Sequence, residues 1–210
     1  MLTISQQLTF ITWHRPYVTL IEQSIQAQAQ KIAALYPSSS SAAYKAAALT
    51  LRFPYWDWAT DAQLPPIITE PTITITTPSG SKTIRNPLYS YQFQNFPFTD
   101  EDMLNYPKVA QFNETKRCAD SEIPSDGVNH YEIIRETLGD QATKVRDATY
   151  AVFAKTTNFV DMASEAGKGG GGNFENPHNV IHQHAGGHPR LGSKLGHIQP
   201  AEWSAFDPLL

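Results

Sequence analysis

Two histidines four residues apart, in His178-Asn-Val-Ile-His182, carry the densest chemical signal in this chain. Residues at i and i+4 lie on one face of a helix, so both imidazoles can reach a single metal ion. Neutral imidazole suits copper, zinc, iron or nickel. Zinc-hydrolase chemistry needs a glutamate beside the first histidine to serve as base. Asn179 occupies that place and cannot abstract a proton, which argues against a hydrolase. A third imidazole, His14, stands far upstream in Phe10-Ile-Thr-Trp-His14-Arg-Pro-Tyr17, at the head of an amphipathic segment. The remaining histidines are expected to stay out of direct ligation. His184 falls about 200° round the helix from His182, and His130, His188 and His197 lie in loops, where a surface or supporting role is expected.

These side chains need helices to hold them. Pro177, just ahead of the histidine pair, suits a first helical turn, and Asn176 before it suits the cap, so the spacing predicts a helix over about Pro177 to Ala185. From Thr12 to Leu35, Trp13, Tyr17, Leu20, Ile21, Ile25 and Ile32 recur mostly at three- and four-residue steps, as on a helix face. Pro37 and the serines 38–41 end it. An alanine-rich helix is expected over Ala42 to Leu51, leading into Phe53-Pro-Tyr-Trp-Asp-Trp58, too apolar a run for an exposed loop. Prolines at 65, 66, 71, 78, 87 and 97 exclude long helices in the middle of the chain. There Thr72 to Thr77 alternates as a strand does, 78–81 makes a turn and Lys82 to Arg85 returns. Helical periodicity resumes over Tyr131 to Leu138 and again over Gln141 to Lys155. The run from Gly167 to Gly172 lacks the Lys-Ser/Thr of a phosphate cradle and reads as a flexible loop.

Composition narrows the function. A chain of 210 residues with 40% hydrophobic and 17% charged residues can bury a proper core. A net charge of −4 and a pI near 5.9 leave no basic face for nucleic acid or acidic lipid. Neither a signal sequence nor a span of membrane length is evident, so no membrane partner is expected and the compartment is left open. Cys118 is the only cysteine, which excludes an internal disulfide framework and a thiolate zinc cluster. Asn113-Glu-Thr115 is a glycosylation sequon that matters only in a secreted protein.

Four motifs then occur in order: Phe10-Ile-Thr-Trp-His14-Arg-Pro-Tyr17 with Glu22; Phe53-Pro-Tyr-Trp-Asp-Trp58; Glu175-Asn-Pro-His178-Asn-Val-Ile-His182 with Gly186-Gly187; and Ala205-Phe-Asp-Pro208. Together they resemble the tyrosinase family (polyphenol oxidases) of binuclear type-3 copper proteins, in the style of its filamentous-fungal members. The resemblance implies a mainly α fold, a four-helix bundle holding two copper ions, each bound by three histidines and together binding dioxygen. It implies hydroxylation of monophenols to o-diphenols and their oxidation to o-quinones, with a phenolic small molecule and dioxygen as partners. By position, His14 resembles the third ligand of the first copper. His178 and His182 resemble the first and second ligands of the second. Glu175 resembles the acid that orders a water near the coppers, and Asn179 the residue that helps this water take the phenol's proton. The plainer reading of Glu175 is an acid favoured by the helix dipole.

The family's other three ligands find no match. No histidine occurs among the thirteen residues before His14, and the sequence ends at Leu210, just past Phe206-Asp-Pro208. The expectation is therefore a single copper domain over residues 1–210, an incomplete bundle with long irregular loops and a minor hairpin, truncated at both ends and inactive as an oxidase. Leu20, Ile21, Val180 and Ile181 are expected to form orphaned apolar surface and make the chain poorly soluble. The alternatives are a catechol oxidase without monophenolase activity, with Gln183 among the residues that decide, a non-catalytic remnant that binds a partner, and a dioxygen carrier.

Overall fold

In the computed structural model, the described residues are 10–99, 101–117, 127–165, 170–186, 196–198, 201–204 and 206–209. Cys118, Gly187 and His188 lie outside them. Helix α1 runs over Phe10–Ala33 and α2 over Ser38–Thr50. A hairpin of β1 (Thr72–Thr77) and β2 (Gly80–Arg85) follows, then two single turns, α3 (Glu101–Leu104) and α4 (Pro107–Ala110). Helix α5 spans Tyr131–Lys155, the short α6 Phe159–Ala163, α7 Glu175–Gly186 and the terminal turn α8 Ala201–Ser204. The architecture is mainly α with one small antiparallel sheet.

Two helix pairs organise it. Helices α5 and α7 pack closely, and α1 and α2 form an αα-hairpin. In α5 the buried residues Ile134, Leu138, Val145 and Val152 make one stripe at helical spacing. Its upper half meets Ile181 and Ala185 of α7, with Leu64, Ile68 and Ile198 closing the core and Trp56 and Trp58 packed on its flank. A second, aromatic cluster gathers Phe93 and Phe98 around the fully buried Trp203 of α8. In the hairpin, Thr72 pairs with Arg85 and Thr77 with Gly80, whose φ of +113° a side chain would strain.

Several expectations need correction. Helix α5 is continuous through Gly139, because the shared stripe buries against α7 and outweighs about 1 kcal/mol of glycine penalty. Helix α7 begins two residues earlier than predicted and is capped by Asn173, whose Oδ1 accepts from Asn176 N at 2.8 Å, so Asn176 lies inside the helix. The Phe53 to Trp58 run is only half sheltered, with Tyr55 86% exposed, because extended backbone sends alternate side chains to opposite sides. Of the four residues expected at an orphaned surface, Leu20 is 62% exposed, whereas Ile181 is buried beneath α5. Ile21 and Val180 are half-buried.

One ion pair ties the long connections together. Arg117 and Asp207 are both fully buried, with Arg117 Nη2 2.9 Å from Asp207 Oδ1. Arg117 Nε donates to the same carboxylate at 3.0 Å, Nη1 to the Ile68 carbonyl at 2.8 Å and Nη2 to the Leu88 carbonyl at 2.9 Å. Three distant segments thus meet on one guanidinium. Removing either partner strands a buried charge, so Arg117→Met or Asp207→Leu is expected to cost about 3–5 kcal/mol in denaturant unfolding. The double variant is expected to recover part of that loss, which a double-mutant cycle checks directly.

Candidate metal centre

Helix α7 places Glu175, His178, Asn179 and His182 on one face, at i, i+3, i+4 and i+7. Nε2 of His178 and Nε2 of His182 lie 3.0 Å apart. A first-row ion with imidazole nitrogens about 2.0 Å away needs neighbouring donors roughly 3 Å apart. The pair therefore already has the spacing of two ligands on one ion. From α1, the ring of His14 approaches that of His178 to 6.0 Å between centroids, and the buried Phe10 ring lies against both, at 4.5 and 4.9 Å. Structure thus brings the three sequence-singled imidazoles together. Among the described residues they do not close as a trio on one point. A pair with a third ring farther off suits two ions better than one.

Each ring is held by an oxygen on its Nδ1. His14 Nδ1 meets the Phe10 carbonyl at 2.7 Å and His182 Nδ1 the Ile198 carbonyl at 2.8 Å. A carbonyl only accepts, so both Nδ1 atoms carry a proton, and a neutral ring then keeps its lone pair on Nε2. His178 Nδ1 meets Asn179 Oδ1 at 3.0 Å, while Asn179 Nδ2 donates to Glu165 Oε1 at 2.9 Å. In the neutral ring each Nε2 is thus bare, the form that binds first-row metals. In this arrangement two lone pairs face each other across 3.0 Å, a repulsion that a cation between them removes.

Electrostatics favour the neutral rings. Burial, and then the neighbouring His182, push the His178 pKa down to about 4. Burial lowers that of His182 as well. Glu175 is fully buried; its Oε2 accepts from Glu165 N at 3.1 Å and its Oε1 has no partner among the described residues. Burial raises its pKa, with the charge of Glu165 adding to the effect. Asn179 has both polar atoms engaged, although Oδ1 keeps a second lone pair.

The other histidines sit apart. His184 faces away from the pair, as expected, but it is buried and its Nδ1 bonds the Val180 carbonyl at 2.8 Å. Of its two expected roles, surface and supporting, His197 takes the second: it is fully buried among the rings of Phe93, Phe112 and Trp203. Its Nδ1 accepts from Lys116 N at 2.7 Å, and burial pushes its pKa down to about 4. His130 stands at the start of α5 against Glu132. Sequence reasoning missed Glu165 and the Ile198 carbonyl. Neither carries a sequence signal, because one lies in an undistinguished turn and the other is backbone.

A family model described as the common central domain of tyrosinase matches residues 3–210. The tyrosinase of Neurospora crassa is 30% identical over 219 residues, covering 96% of this chain and 30% of that protein. A structure of latent and active mushroom tyrosinase superposes with a TM-score of 0.82 at 29% identity, over 96% of this chain and 51% of that one. An oxygen-bound variant of Aspergillus oryzae pro-tyrosinase gives 0.83 at 25% identity, over 97% and 44%. The chain spans about a third of the length of the curated relatives it matches.

Two outcomes follow for the metal-free chain. His178 and His197 are held near 4, below the 6.5 of an unfolded histidine, so the unfolded state binds the extra protons in between. Their contribution is fully present above pH 6.5 and is lost as pH falls towards 4, about 3 kcal/mol each at most. Urea unfolding across that window should show stability falling with acidification. Added divalent copper or zinc should shift the 15N resonances of His14, His178 and His182 Nε2 and leave those of His184 and His197 in place.

Proposed function

We propose that this chain, which belongs to the tyrosinase family, supplies part of a copper centre that oxidises phenols. One observation carries the reading: His178 and His182 set their Nε2 atoms 3.0 Å apart, the ring of His14 on a second helix lies 6.0 Å from that of His178, and each of the three rings meets an oxygen on Nδ1. The residues fit copper, since neutral nitrogen donors at this spacing suit a first-row ion. His178 and His182 would hold one copper, and His14 would contribute to the other. When bound, the copper pair supplies the activation of dioxygen for o-hydroxylation of monophenols and oxidation of o-diphenols to o-quinones.

The remaining residues act on substrate and solvent. Phe10 packs against His14 and His178 and excludes water from that side of the rings. Glu175 presents the unpartnered Oε1, an acceptor for a water or for the phenol proton, and its raised pKa brings it nearer to neutral working pH. Asn179 lies one turn along the same face, with one lone pair of Oδ1 left for such a water. Its double engagement by His178 and Glu165 favours a second reading, oxidation of o-diphenols alone.

Family copper pairs take six imidazoles, whereas three converge among the described residues. We therefore propose that the 210-residue polypeptide binds copper through His178 and His182 but is a poor oxidase on its own. Nitrogen couplings from coordinated imidazole in the electron paramagnetic resonance spectrum should appear on loading with copper(II) and be lost in His178→Ala and His182→Ala. Quinone formation from L-DOPA should run no faster than in His178→Ala. Fast, His178-dependent turnover refutes the inactivity, and comparing tyramine with catechol then decides between the two phenol-oxidase readings. Copper coupling unchanged by either substitution overturns the site itself.

A further inference from the structure

We propose that Glu165 is a positioning residue that keeps His178 ready for a metal ion by fixing the side-chain amide of Asn179. This rests on the copper-site reading above. The argument begins with the two Nε2 atoms 3.0 Å apart. Without an ion between them, the cheapest relief is for one ring to move its proton from Nδ1 to Nε2 and donate to the other. His182 cannot, because its Nδ1–H is held by the Ile198 carbonyl. His178 could, if Asn179 turned its amide over and offered an N–H to a bare Nδ1. A primary amide flips readily unless its two ends are told apart.

Glu165 tells them apart. A carboxylate only accepts, so Glu165 Oε1, 2.9 Å from Asn179 Nδ2, demands the NH2 end and leaves Oδ1 facing His178. Oδ1 in turn demands a proton on His178 Nδ1, and Nε2 stays bare. The same residue's backbone N–H holds Glu175 Oε2 at 3.1 Å, so one turn after α6 governs both polar side chains flanking the pair. Glu165 is exposed and belongs to neither hydrophobic cluster, so its substitution leaves the core in place. Carboxylates behind ligand histidines commonly set tautomer and basicity, and here the carboxylate works through an amide.

The test is long-range 1H–15N correlation spectroscopy of the metal-free chain labelled with 15N-histidine. The unaltered chain should show His178 as the Nδ1–H tautomer. Glu165→Ala should admit the Nε2–H form, and Glu165→Asp, one methylene too short, should do the same while keeping the charge. Glu165→Gln, which can offer Asn179 either its carbonyl or its NH2, should lose the discrimination and admit the Nε2–H form too. Copper(II) affinity, from competition with a chelator, should fall roughly tenfold in the Ala and Asp variants and fall in Gln as well, with melting temperature unchanged throughout. A fixed Nδ1–H form in both the Ala and Asp variants, or a mixture already in the unaltered chain, overturns the proposal. If the tautomer responds as expected but no copper binds, the copper reading fails and the role of Glu165 stands. If copper binds at His178 and the tautomer ignores Glu165, the reverse holds.

Discussion

The buried pair of Arg117 and Asp207 is the constraint from which the rest of the molecule hangs. Such a pair is costly to desolvate and survives only when its remaining donors are satisfied. Here the guanidinium also bonds the carbonyls of Ile68 and Leu88. Its backbone N–H is taken by Asn129 Oδ1 at 2.7 Å. The segment 116–117 is therefore fixed at both side chain and main chain, and it passes that order on. Lys116 bonds His197 twice, through its N–H to Nδ1 and through its carbonyl to His197 N. His197 is adjacent to Ile198, and the Ile198 carbonyl sets the tautomer of His182. Three links thus connect a structural ion pair to the His182 ring.

That route gives His197 its meaning. A neutral buried imidazole, accepting on Nδ1, can only carry its proton on Nε2, and its low pKa keeps it so across the physiological range. It is no ligand, and no surface residue; it is a peg that holds one carbonyl still. The centre itself is under strain of a different kind, because two facing lone pairs are tolerated where apolar packing would be more stable. Local conflict of this sort is expected where a site is shaped for something the polypeptide alone does not supply.

The sequence made the helical face legible and left its supports hidden. His178 and His182 declare themselves because a four-residue step is a property of the helix alone, and the hairpin declares itself through alternating threonines. The cap of α7 was misplaced because Asn173 and Asn176 are both competent, and only the path of the preceding loop selects between them. Continuity of α5 through Gly139 depended on burial against α7, which local propensity cannot see. Spacing left His197 between a surface and a supporting role, and contacts with residues 80 or more positions away decide for the second by putting it in an aromatic box. Glu165 and the Ile198 carbonyl act through tertiary proximity, which leaves no trace in spacing.

The two halves of the centre are held with unequal firmness. His178 and His182 sit on α7, whose Ile181 and Ala185 are sealed into the main core. His14 sits on α1, of which only Phe10 and Ala33 are buried. Polar anchors add to these: Glu22 accepts from Phe53 N at 2.8 Å, and Gln26 donates to the Leu49 carbonyl at 3.1 Å. Trp13, Tyr17, Leu20 and Ile25 remain substantially exposed along the same helix. Phe10 is the apolar link where α1 meets the ring pair, touching His14 and His178 together. Any ions held jointly by His14 and the α7 pair would add a second link, and their binding free energy would count towards holding α1 in place. Order at this centre and order of the first helix are accordingly one equilibrium, approached from two ends.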